Sequence, residues 1–308
     1  TASAGLTIVG SDANNNTITG DSGGSTLKGG NGTNDKLYGG SGADIIISGK
    51  GNDTLKGGAG DDIYVFSKGD GQDTITDNQG SNTIRFLDVK SNEIKLVRSG
   101  NDLKILYGES DSVTVYNHFT SSAYQMAKYE FADGKNLTPA ELFALHPVHV
   151  TDGTTSISFS GTGSAGATIV GSDTNDNTIT GGSSGNTLKG GNGTNDKLTG
   201  GTGADILIGG KGNDLLQGGG GDDIYVFSKG DGQDIIKDNQ GANAIRFLDV
   251  KSDEITLVRS GTDLKLFYGE SDSVTIQSHF SNASYQMASY EFADVTLIGV
   301  DLFEMHGM

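Results

Sequence analysis

Aspartates at a fixed phase carry the chemistry in this sequence. Asp35, Asp44, Asp53 and Asp62 stand nine residues apart, and Asp196, Asp205, Asp214 and Asp223 repeat that spacing further along. Asp73 and Asp234 extend the two series. Each ends a Gly-rich stretch, as in Gly39-Gly-Ser-Gly-Ala-Asp44 and Gly57-Gly-Ala-Gly-Asp-Asp62. Glycine makes tight loops and leaves backbone carbonyls accessible. Carboxylates brought together at one phase repel unless a cation lies between them. Carboxylate and carbonyl oxygens in flexible loops suit Ca²⁺; Mg²⁺ prefers a tighter octahedron with retained waters, and Zn²⁺ takes His or Cys. Calcium, several ions per series, is the cofactor this pattern predicts.

The elements that would hold such loops follow from one apolar residue two positions after each Asp. Ile18, Leu27, Leu37, Ile46, Leu55 and Tyr64 form the first set, and Ile179, Leu188, Leu198, Leu207, Leu216 and Tyr225 the second. One apolar residue in nine is too sparse for a helix face or for ordinary alternating strands. It suffices for very short strands, each sending one side chain inward. Two nonapeptides then close one turn of a flattened coil, and successive turns stack as parallel strands about 4.8 Å apart. Stacking every second unit predicts one column of Asn16, Asp35, Asp53 and Asp73, and another of Ser25, Asp44 and Asp62. Asn or Ser replaces Asp in the opening units (Asn16, Ser25, Asn177, Asn186), which should weaken or abolish the first sites.

The chain is a duplication. Gly5-Leu-Thr-Ile-Val-Gly-Ser-Asp12 returns as Gly166-Ala-Thr-Ile-Val-Gly-Ser-Asp173, and Asp61 to Asp73 returns unchanged as Asp222 to Asp234. Of 308 residues, 50 are Gly, 2 are Pro and none is Cys, which excludes collagen, a Pro-rich stalk, disulfides and thiolate sites. A formal charge of −18 argues against a nucleic-acid partner. No run approaches the ~18 apolar residues of a membrane span. Thr1-Ala2-Ser3-Ala4 shows neither the charged nor the apolar region of a secretory leader.

Gly39 to Ile47, Gly49 to Leu55 and Gly57 to Asp62 resemble the hemolysin-type calcium-binding repeats of RTX proteins. The segment from Tyr64 through His118-Phe119 to Leu145 is similar to the flank of RTX blocks in bacterial toxins and large adhesins. The resemblance implies an all-β chain of two tandem calcium-bound parallel β-rolls, each followed by a β-rich capping segment with a short helix. Copy one spans 1–148 (roll 7–85, flank 86–148) and copy two 149–308 (roll 168–246, flank 247–308). It implies ligands from loop carbonyls and the Asp carboxylate: Asp35; Gly40, Gly42 and Asp44; Gly49, Gly51 and Asp53; Gly58, Gly60 and Asp62; Gly69, Gly71 and Asp73. In copy two these are Asp196; Gly201, Gly203 and Asp205; Gly210, Gly212 and Asp214; Gly219, Gly221 and Asp223; Gly230, Gly232 and Asp234. The ten-residue units ending in Asp35 and Asp196 carry an inserted residue, so their carbonyls are left unassigned. The implied role is a secreted or cell-surface module of a larger type I-secreted toxin or adhesin that folds on calcium outside the cell. Its implied partners are calcium ions, a type I secretion apparatus and a host or surface ligand. A ligand-binding adhesin module (glycan, protein or, from Gly32-Thr33-Asn34-Asp35, ice) and the C-terminal part of a secreted enzyme remain alternatives.

Downstream of each roll the pattern alternates. Glu93 to Arg98 and Leu103 to Tyr107 read as a hairpin turning at Ser99–Asp102, with a further strand at Ser112–Tyr116. The aromatics gather here and read as a hydrophobic cap over the roll's open end, or else as a ligand surface. Thr138-Pro139-Ala-Glu141 is a capping box that starts a short helix through Leu142, Phe143 and Leu145. Residues 151–167 read as a linker or an incoming strand. His118 and His279 read as packing residues, and His146-Pro-Val-His149 is a possible metal pair confined to the joint. No nucleophile elbow, His-Glu-x-x-His or phosphate loop is present, so the chain is expected not to be an enzyme.

Overall fold

The computed structural model describes residues 5–151, 156–158 and 166–307. The chain divides into two compact units, Thr1–Val148 and His149–Met308. In the first, β1 (Leu6–Val9), β2 (Thr17–Thr19), β3 (Ser25–Gly30), β4 (Lys36–Gly40), β5 (Ile45–Gly49), β6 (Thr54–Gly58), β7 (Ile63–Phe66), β8 (Gln72–Ile75) and β9 (Thr83–Phe86) alternate between two parallel sheets. One runs β1-β3-β5-β7-β9 and the other β2-β4-β6-β8. This is the expected parallel β-roll.

Its core is the expected row of side chains. Leu27, Leu37, Ile46, Leu55 and Tyr64 are fully buried, and Ile18 nearly so. They stack in register: Ile18 on Leu37 on Leu55, and Leu27 on Ile46 on Tyr64. A strand of three to six residues shows only its central side chain to this thin interior, so one apolar residue per nonapeptide is enough.

The flank continues the same sheets. β10 (Lys95–Ser99) and β11 (Asp102–Leu106) form the antiparallel hairpin, joined by Gly100 and Asn101 alone, a shorter turn than the alternation suggested. β12 (Ser112–Val115) pairs with β11 and lies parallel to β8; β13 (Lys128–Glu130) extends the other sheet from β9, with β14 (Asn136–Leu137) beside it. Phe66, Phe86, Tyr107 and Phe131 form one buried cluster with ring centroids 5.1 to 6.1 Å apart. Tyr107 and Phe131 of the flank thus pack on Phe86 of the roll's last strand, as the cap reading expected. The short helix α1 (Pro139–Leu145) has its capping box: Thr138 Oγ1 accepts from Glu141 N, and Glu141 Oε2 accepts from Thr138 N at 2.8 Å. Leu142 and Phe143 face inward, whereas Leu145 is exposed.

The second unit repeats this plan. Thr168–Val170, Thr187–Gly191, Ile206–Gly210, Ile224–Phe227 and Ala244–Phe247 form one parallel sheet. Ser156–Ser158, Thr178–Thr180, Lys197–Gly201, Leu215–Gly219 and Gln233–Ile236 form the other. The stretch read as a linker or incoming strand thus contributes the strand Ser156–Ser158, which pairs parallel with Thr178–Thr180. Its residues 152–155 and 159–165 lie outside those described. The unit ends on a helix at Gly299–Met305.

The cap is also expected to add an acid-sensitive contribution to stability. His118 is fully buried between Phe119 and Phe143, at 4.8 and 5.7 Å, and neither ring nitrogen has a hydrogen-bond partner. Burial, with the Arg98 guanidinium adding repulsion, pushes its pKa down to about 3. The neutral ring's contribution is therefore complete above the unfolded pKa near 6.5 and is lost as pH falls below it toward 3. His118→Leu is expected to lose less thermal stability than the parent between about pH 7.5 and 5 in saturating calcium. Equal losses would show that His118 does not set this limb.

Candidate calcium centres

The loops between strands stack as the Asp spacing required. Asn16 N donates to Asp35 Oδ1 (2.5 Å), Asp35 N to Asp53 Oδ1 (2.7 Å) and Asp53 N to Asp73 Oδ1 (2.9 Å). On the other side Ser25 N donates to Asp44 Oδ1 (2.5 Å) and Asp44 N to Asp62 Oδ1 (2.8 Å). The second unit has the same columns, Asn177-Asp196-Asp214-Asp234 and Asn186-Asp205-Asp223. Each carboxylate thus stitches one turn to the next through a single oxygen.

The other oxygen has no partner. Oδ2 of Asp35, Asp44, Asp53 and Asp62, and of Asp196, Asp205, Asp214, Asp223 and Asp234, is buried without a hydrogen bond. Asp73 Oδ2 differs, accepting from Ser48 Oγ at 3.2 Å. A buried unpaired carboxylate oxygen is costly, and a whole column of them more so. Burial first, and stacked aspartates after it, push Asp53 and Asp62 up to about 7 and Asp73 up to about 8; Asp214, Asp223 and Asp234 match them at about 7, 7 and 8. Asp205 rises to about 6, and Asp44 and Asp196 are also raised, mainly by burial.

These oxygens face other oxygens. The point where a Cβ on Gly39 would sit lies 2.3 Å from Asp44 Oδ2 and 2.5 Å from the Gly57 carbonyl of the next turn. At Gly29 the same point meets Asp35 Oδ2 at 2.7 Å and the Ser48 carbonyl at 2.2 Å. Oxygens of two turns converge with no hydrogen between them, which is the donor set of a hard cation and fits calcium. Among the described residues, no three His, Cys, Asp or Glu side chains form a metal group by themselves. Backbone carbonyls would have to complete each shell.

The glycines assigned from sequence fall in these loops. Gly40 pairs with Gly58, Gly51 with Gly71, Gly201 with Gly219 and Gly212 with Gly232 across the stack. Gly49 pairs with Gly30, and Gly210 with Gly191. Gly42 lies under Gly60, and Gly203 under Gly221. The carbonyls of Gly40, Gly51, Gly71, Gly201 and Gly212 already accept one N–H from the neighbouring turn, leaving each a second lone pair. Gly69 and Gly230 stand apart: a Cβ there would meet nothing within 4 Å, and their N–H groups donate to Asp111 and Asp272. Of the histidines singled out, His149 is exposed and His146 half-buried.

Two features escape the Asp pattern. An eighth loop ends in Asn82, whose Oδ1 accepts from Asp62 N at 2.9 Å and prolongs that column; Asn243 does the same for Asp223. Asp77 at its start is buried and accepts from Tyr64 Oη (2.6 Å), Gly57 N and Gly58 N. Asp238 likewise accepts from Tyr225 Oη and Gly219 N. A Tyr in place of the Leu or Ile found at the other inward positions was the available signal, since a buried phenol seeks a partner.

A stack of Gly–Asp loops over a one-residue-wide core defines a metal-loop β-roll. Comparison with family descriptions is more specific. The RTX calcium-binding nonapeptide repeat (four copies) matches residues 11–46, 29–64, 38–72, 191–225 and 199–233, and the haemolysin-type calcium binding protein related domain matches 102–141. The chain therefore carries RTX calcium-binding repeats with their related flank, and such repeats imply calcium binding. Comparison with curated sequences gives no match. Among solved structures, the extracellular lipase LipA from Serratia marcescens is similar at 19% identity and a TM-score of 0.22. That match covers 82% of this chain, which spans 37% of the lipase.

Proposed function

We propose that the chain is a calcium-operated folding module of a longer type I-secreted protein, a toxin or adhesin, with no catalytic role of its own. It leaves the producing cell poorly folded where free calcium is scarce and folds outside or at the cell surface. What carries this reading is the set of buried, unpartnered Oδ2 atoms in four stacked columns. Without cations the folded state holds these carboxylates against their own repulsion and desolvation. With cations, binding energy becomes folding energy. The chain's −18 charge describes this calcium-free state.

Circular dichroism tests it. The chain in excess chelator should show a largely unstructured spectrum, and titration to millimolar calcium should bring out the β signal cooperatively. A chain equally folded in chelator, or unstructured in calcium, rejects the proposal. The readout does not depend on whether the parent protein is a toxin or an adhesin.

A further inference from the structure

The first loop of each roll has the oxygen cradle of the later loops but fills it differently. Asn16 Nδ2 lies 3.0 Å from Ser11 O, 2.8 Å from Asn14 O, 3.0 Å from Gly29 O and 2.9 Å from Asp35 Oδ1. Asn177 Nδ2 meets Ser172 O, Asn175 O, Gly190 O and Asp196 Oδ1 at 3.0, 2.8, 3.0 and 2.9 Å. The amide's orientation is fixed from its other end, since Asn16 Oδ1 accepts from Ser11 N (2.9 Å) and Asn177 Oδ1 from Ser172 N (3.0 Å). Turning either amide over would set an oxygen among four oxygens.

The matching atom one loop on is an oxygen. A Cβ on Gly10 would meet Gly29 O and Asn16 Nδ2; a Cβ on Gly29 would meet Ser48 O and Asp35 Oδ2. The nitrogen of Asn16 thus takes the place held by an unpartnered carboxylate oxygen in the following turn. It brings the partial positive charge that the later loops lack.

We infer that Asn16 and Asn177 are built-in cation substitutes, which close the first metal cradle of each roll with an amide nitrogen and make that turn independent of calcium. The inference deepens the proposed function and rests on it. Where a terminal site shared by one loop only would bind calcium poorly, the amide supplies the same bridging without any ion. Each roll then has one turn that holds its geometry before calcium arrives, and the Asp35 and Asp196 carboxylates start the calcium-dependent stack on top of it.

Anomalous diffraction from crystals of the calcium-loaded chain is one test. Peaks are expected between the later loops and none within the cradles of Asn16 and Asn177; a peak there overturns the inference. The absence of peaks everywhere overturns the calcium reading itself. The double variant Asn16→Asp/Asn177→Asp is the second test, because it turns each amide nitrogen into an oxygen. It should bind two more calcium ions per chain than the parent at saturation and need calcium to order the first turns. An unchanged ion count, with the variant folded in calcium, overturns the inference. If the variant does not fold, the diffraction result on the parent chain decides.

Discussion

Asp53→Ala is expected to raise the calcium concentration that half-folds the first unit by about tenfold or more, equivalent to ~1.4 kcal/mol or above. Asp53 stands inside its column. Its Oδ1 accepts from Asp35 N, its own N–H donates to Asp73 Oδ1, and its Oδ2 is buried without a partner. On the proposed calcium reading, removing the carboxylate strips the ligand oxygen from its cradle, and it leaves the buried Asp35 N–H unsatisfied. That last defect alone costs ~1–3 kcal/mol. Asp53→Asn separates the two effects, since its amide oxygen still serves Asp35 N while the charge is gone. A calcium titration followed by circular dichroism should place the midpoints in the order parent, Asp53→Asn, Asp53→Ala. Higher calcium should rescue both variants, because a weakened ligand set is offset by mass action. An unchanged midpoint for Asp53→Ala would show that this carboxylate holds no ion.

Much of this arrangement is legible before any coordinates. The nine-residue spacing gives the register, because only stacking of every second unit places Asp35 N against Asp53 Oδ1 and Leu37 on Leu55. The Thr138–Glu141 capping box is local and reads directly. Other features depend on contacts between distant turns. Asp77 meets Tyr64 through the interior of the roll, and nothing in the spacing of either residue announces the pair. Asn82 closes a column from a loop without paired glycines. Asn16 reads from sequence as a weak ligand, since which end of an amide faces the cradle depends on a donor, Ser11 N, that only the folded loop supplies. The pattern thus reports what recurs, and it misses the roll ends, where each residue acts once.

Gly49→Ala is expected to abolish folding of the first unit at every calcium concentration, a defect of a different kind from the loss of a ligand. Gly49 has φ +82°, and a Cβ there would lie 1.9 Å from the Gly30 carbonyl oxygen. That oxygen cannot retreat without breaking its bond from Lys50 N at 2.9 Å, nor can the turns separate without losing the Leu27–Ile46 core contact. The left-handed conformation alone costs alanine ~1–2 kcal/mol. Gly69 isolates that part, since its φ is +90° yet a Cβ would meet nothing within 4 Å. Gly69→Ala should therefore fold in millimolar calcium with a modestly raised midpoint. Calcium a thousandfold above its dissociation constant contributes only ~4 kcal/mol per site, and only to a chain able to form that site. Gly49→Ala cannot bring its two loops together, so added ions have nothing to bind. Titrating the two variants side by side separates steric exclusion from backbone strain: equal midpoints would mean that the turns are not stacked as closely as the fold requires.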